Sequence, residues 1–93
     1  MKITELLWDN ETIEHIARHS VRPDEVEGMI FSEPNPLIEK GREKDIYLVQ
    51  GQTGSGRYLF VVIKAIGKGK AKPITAREMS ERDKEHYRRR IRQ

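Results

Sequence analysis

The sequence predicts an α+β domain, in which a small antiparallel β-meander of three to four strands follows two N-terminal helices and precedes one C-terminal helix. Three observations predict it. Apolar residues recur at helical spacing up to Phe31, the period switches to two between Leu37 and Ala76 with glycine-rich turns between the runs, and Ser80-x-x-Asp83 opens a charged helical stretch. At 93 residues the chain holds one modest core, so residues 1–93 are expected to form a single domain.

Taken in order, Ile3, Leu6, Leu7 and Trp8 form a short apolar run with no element assigned to it. Asp9 and Asn10 then offer N-cap oxygens to a helix over about 10–20, where Ile13, Ile16, Ala17 and Ser20 repeat at i, i+3, i+4 and i+7. Pro23 suits a first helical position, Asp24 and Glu25 suit the positive end of the dipole, and Val26, Met29 and Ile30 make one stripe. A second helix is expected over about 23–31, ended by Ser32-Glu33-Pro34-Asn35-Pro36 because each proline pushes its predecessor out of the α region. A weak strand from Leu37 to Gly41 and a stronger one from Asp45 to Gln52 follow. The turn Thr53-Gly54-Ser55-Gly56 leads to the most β-prone stretch, Arg57 to Ala65, and the turn Gly67–Lys70 leads to a last strand, Ala71 to Ala76. The terminal helix runs to Ile91, with Tyr87 and Ile91 at i, i+4 expected to dock it on the sheet.

Composition excludes several classes. Without cysteine there is no disulfide framework and no thiolate metal cluster, and the three histidines lack ligand spacing. The longest apolar stretch, Leu59 to Ile63, is far short of the roughly 20 residues of a membrane-spanning helix, and Met1 to Trp8 lacks the features of a signal peptide. A soluble, cytoplasmic protein is expected. Charge is divided unevenly: residues 1–63 carry 7 Lys+Arg against 11 Asp+Glu, whereas residues 64–93 carry 11 against 4. So basic a C-terminal third suits a phosphate or an acidic protein partner, or simply a solvated helix face.

No Walker loop, HExxH or nucleophile elbow occurs, so the candidate groups are basic ones. Arg18-His19 closes the first helix, where the negative helix end favours a protonated imidazole able to act as acid or base near neutral pH; the plainer reading is a helix cap. His15 and His86 have no such placing and read as helix-surface residues. Arg57 opens the central strand, where a planar fork holds a phosphate bidentately or merely solubilises a hairpin. Thr75 and Arg77 lie at the exit of the last strand, on one face by strict alternation, with Lys72 on the other. Trp8 is a candidate base-stacking residue or a core lid, Tyr87 a phosphate contact through its hydroxyl, and Arg88, Arg89, Arg90 and Arg92 a diffuse attraction for RNA or a partner.

As a series, these residues resemble the BrnT family of ribonuclease toxins. The matching stretches are Leu7-Trp8-Asp9, Arg18-His19-Ser20-Val21, Asp24-Glu25-Val26, Tyr47 to Thr53 with Gly56-Arg57, Leu59 to Ile63, Pro73 to Arg77, and Glu81 to Tyr87, spread over roughly 80 residues in family order. Two departures stand out: Arg18-His19-Ser20 replaces the usual Lys-His-Gly, and Asn10-Glu11 lacks a lysine common after Trp-Asp. The resemblance implies a RelE-like sheet flanked by helices, a type II toxin–antitoxin module, and neutralisation by a cognate, BrnA-like antitoxin. It also implies RNA cleavage with no metal or cofactor, in which the ribose 2′-hydroxyl attacks the adjacent phosphate. His19 would transfer the proton, Arg57 and Arg77 would hold one phosphate together, and Arg18 would assist. Trp8, Lys72, Thr75, Tyr87 and Arg88 would bind RNA. The competing expectation is a catalytically inactive module of the same fold that only binds RNA or protein.

Overall fold

The computed structural model describes residues 2–32 and 36–92, in the order β1 (Glu5–Leu6), α1 (Asn10–Ala17), α2 (Pro23–Phe31), β2 (Leu37–Lys40), β3 (Ile46–Gln52), β4 (Tyr58–Gly67), β5 (Lys70–Glu78) and α3 (Glu81–Ile91). The α+β class and the three helices stand as expected. Of the segment expected to end the second helix, Glu33, Pro34 and Asn35 lie outside the described residues.

The helix starts follow their capping chemistry. The Asp9 side chain accepts the Thr12 backbone N–H at 2.7 Å, and the Glu25 carboxylate accepts the Arg22 N–H at 3.1 Å. Ser80 and Asp83 complete a reciprocal capping box for α3. The first helix ends earlier than its pattern suggests, at Ala17, because Ser20 takes a left-handed backbone (φ 60°) and the Val21 N–H returns to the Ile16 carbonyl.

Among the described residues the sheet has five strands in the order β1-β5-β4-β3-β2, one more than the meander expected. The extra strand is β1, from the apolar run left unassigned: Glu5 and Leu6 pair in parallel with Lys70 and Ala71. The β4–β5 turn makes this possible. Lys68 and Gly69 both adopt positive φ, as a two-residue I′ hairpin requires, and a side chain at Gly69 would strike Thr4. Strands β2 to β5 are antiparallel, and β5 is longer than its pattern suggests. It carries an irregularity: Val62 faces Thr75 but Ile63 faces Pro73, so Ile74 is an extra residue, where a proline without an N–H is tolerated.

The helices divide between the two faces of the sheet. Ile16, Val21, Val26 and Met29 pack with Val49, Leu59, Val61 and Ile63 into the main core, all at most 1% exposed. Gly51 lets α2 close on β3, since a Cβ there would press on Met29. On the opposite face α3 crosses the row containing Glu39, Gln50, Tyr58 and Phe60. Tyr87 docks α3 as expected, but Ile91 does not and stays 52% exposed.

Candidate active site

The turn Arg18-His19-Ser20 is held by backbone bonds from its three N–H groups to the carbonyls of His15, Ile16 and Ala17. Both Arg18 and His19 project from it into solvent. Arg57 secures the same turn from the sheet. Its Nη1 donates to the Ser20 carbonyl at 2.9 Å and to Glu25 at 2.7 Å, and its Nη2 lies 3.3 Å from Glu78. Burial opposes ionisation of Glu25, but Arg57 and the Arg22 N–H outweigh it and keep the carboxyl below its ordinary pKa.

Beside this turn, α1 and β5 form a groove of about 550 Å³, lined among others by Glu11, Glu14, His15, Arg18, Ile74 and Thr75. His15 spans it: Nε2 lies 3.0 Å from the Thr75 hydroxyl, and its ring stands edge-to-face on His19 with centroids 5.4 Å apart. Sequence reasoning passed over His15. The available signal was its spacing from His19, four residues along one helix face, although the partner that fixes the ring lies 60 positions away. At the start of α1, Lys72 Nζ is 3.0 Å from Asp9. The Thr12 backbone N–H and Lys72 hold the Asp9 pKa down to about 2.

The expected alternation along β5 fails at Ile74. The extra residue brings Lys72 into phase with Thr75 and Arg77, whose own spacing stays regular opposite Val62 and Phe60; Lys72 reaches Asp9, Thr75 meets His15, and Arg77 meets Asp83. The pairing of Arg57 and Arg77 on one phosphate is therefore not formed. Arg57 bonds Glu78 in the row of Leu59, facing α1 and α2, whereas Arg77 stands opposite Phe60, with its guanidinium 4.6 Å over that ring and 2.6 Å from Asp83. Adjacent residues of a strand point to opposite faces, and these two arginines are separated by the sheet itself.

The remaining candidates are dispersed. Trp8 packs on the core and donates from Nε1 to Glu27 at 2.7 Å, tying the approach to α1 onto α2. Tyr87 is buried against Tyr58 at 6.0 Å, and Arg88 lies over the Tyr58 ring at 5.8 Å, both on the α3 face. Among the described residues no group of three or more His, Cys, Asp or Glu side chains is arranged to hold a metal ion, and no helix is long and apolar enough to cross a membrane. The arrangement brings His15, Arg18, His19, Arg57 and Thr75 to one end of α1 and leaves Arg77, Tyr87 and Arg88 behind the sheet.

No protein-family model matches the chain, and no curated protein matches it by sequence. Among solved structures, the 1.1 Å crystal structure of the Brucella abortus ribonuclease toxin BrnT matches with a TM-score of 0.65 and 18% identity, over 83% of this chain and 97% of that one. The chain therefore has the fold of that toxin, in agreement with the resemblance read from its residues.

Proposed function

We propose that the chain is a ribonuclease toxin of a bacterial toxin–antitoxin module, cleaving RNA in the cytoplasm without a metal ion and neutralised by a cognate, BrnA-like antitoxin. The observation that carries this reading is the fold shared with a ribonuclease toxin over nearly all of that protein. The chain's own residues add the chemistry. His19, exposed on the turn after α1, transfers a proton, and Arg18 beside it receives the scissile phosphate. Arg57 acts chiefly by fixing the turn, since its guanidinium is engaged by the Ser20 carbonyl and two carboxylates. Arg77 contributes from the other face, to α3 or to a partner.

The same ion pairs favour a second reading, an inactive binding module, because Glu25, Glu78 and Asp83 already neutralise the two arginines best placed by sequence. Purified protein incubated with RNA in EDTA separates the two. The enzyme yields fragments ending in cyclic phosphate and 5′-hydroxyl, and His19→Ala lowers the rate by about 10²–10⁴. RNA retained without cleavage establishes the module instead. Growth arrest on expression, relieved by a small protein encoded alongside, is the cellular counterpart.

A further inference from the structure

We propose that His15 is a second proton-transfer residue of the site, paired with His19, and that Thr75 is the positioning residue that orients it. The inference rests on the ribonuclease reading and extends it to a histidine with no role so far. Three features carry it. His15 is partly buried in the wall of the α1–β5 groove, and its ring is fixed at both ends, by the Thr75 hydroxyl at 3.0 Å and by the His19 ring at 5.4 Å. The hydroxyl that holds the ring comes from β5, 60 residues on in the chain. The partner, Thr75, directly follows the extra residue Ile74, and both line the groove opposite α1.

Two imidazoles match what the reaction requires. The 2′-hydroxyl loses its proton to one neutral imidazole as the 2′-oxygen bonds to phosphorus. The P–O5′ bond breaks, and the other imidazole, protonated, gives its proton to the departing O5′. A 2′,3′-cyclic phosphate and a 5′-hydroxyl result, with the two rings left in exchanged protonation states that solvent resets. A single histidine must do both jobs in turn or leave one to water. With Nε2 of His15 engaged by Thr75, Nδ1 is the atom that exchanges a proton with RNA, an imidazole held by a third group as in other proton-transfer sites. Arg18 lines the same groove as His15 and immediately precedes His19, which supplies a cation for the phosphate. The charged and titratable groups around His15 are Glu11 and Glu14 from α1 and Arg18 and His19 from the turn after it; β5 presents Thr75 and Ile74 to the groove, with Lys72 paired to Asp9 nearby.

The test is the pH dependence of RNA cleavage by the wild-type chain and by His15→Ala, His19→Ala, the double variant, Thr75→Val and Thr75→Ser. A bell-shaped wild-type profile is expected, with one limb missing in each single histidine variant and a rate loss of about 10²–10⁴ in each. The double variant should lose little more than the worse single one, since the pair acts as a unit. Thr75→Val should depress kcat and displace the limb belonging to His15, and Thr75→Ser, which restores the hydroxyl, should recover both; a purely structural threonine would leave the profile in place. Unfolding midpoints close to wild type show that the variants fold. A wild-type chain that cleaves while His15→Ala keeps its rate and both limbs overturns this proposal alone. A wild-type chain that cleaves no RNA overturns the ribonuclease reading and this proposal with it.

Discussion

One sheet carries helices on both faces, and they are attached by different physics. The α1/α2 face is held by close-packed aliphatic side chains, with Ile16, Val26, Leu59, Val61 and Ile63 fully buried. On the other face α3 buries Tyr87, and its other attachments are polar: Arg77 to Asp83, and His86 and Arg90 to Glu39, which also accepts from the Gln50 amide of β3. Apolar burial is indifferent to pH and to charge screening, whereas ion pairs at partial exposure are not. One face is therefore a permanent foundation and the other a clasp whose hold depends on solution conditions.

The sharpest break in this comparison is Ile16→Ala. It should cost about 2–5 kcal/mol in urea denaturation, a large part of the stability of a small domain, and both faces should unfold together. Glu39→Ala should cost less, about 1–3 kcal/mol, because it leaves the buried Gln50 amide without its acceptor. Hydrogen exchange should quicken in α3 and stay slow in α1, and equal quickening in both would erase the distinction between the faces.

Acid tests the same clasp without mutation. Burial raises the pKa of Glu39 and of Asp83, but His86 and Gln50 for the one and Arg77 for the other overcome it and leave both below their ordinary values. Groups depressed on folding stabilise the protein above their unfolded pKa, roughly 4, and that stabilisation is lost as pH falls through the folded value. The amides of α3 should accordingly lose protection below about pH 4 before those of the α1/α2 core. Smaller effects belong to the foundation side. Ser20→Gly should stabilise the protein by about 0.5–1 kcal/mol in urea denaturation, as glycine adopts the positive φ without strain. Lys72→Ala, which removes an exposed pair with Asp9, should change stability by less than about 0.5 kcal/mol.

Local chemistry made most of the fold legible. Asp9, Pro23 and the Ser80–Asp83 box announced three helices, and the alternation and glycines of 45–76 announced the hairpins, because these signals act over a few residues. What escaped depends on distant partners. A two-residue strand has no period to detect, and β1 exists only because Lys70 and Ala71 lie beside it. The face on which a helix settles is likewise silent in its own residues, so Arg57 and Arg77 looked convergent although a sheet divides them. Of the candidate site, Arg18 and His19 were legible from their place at a helix end. His15 was not, since the strand residue that fixes its ring lies 60 positions away in the chain.

The pairing of β1 with β5 has a consequence for how the protein is made. Thr4 to Leu7 are synthesised ahead of the partners they pair with at Gly69 to Ala71, and α1 acquires its facing wall only when Thr75 has emerged. At about 5–20 residues per second, the opening segment waits several seconds for the strand that completes it. Until then α1 borders no groove, so whatever the groove does is withheld from the nascent chain until β5 has been made.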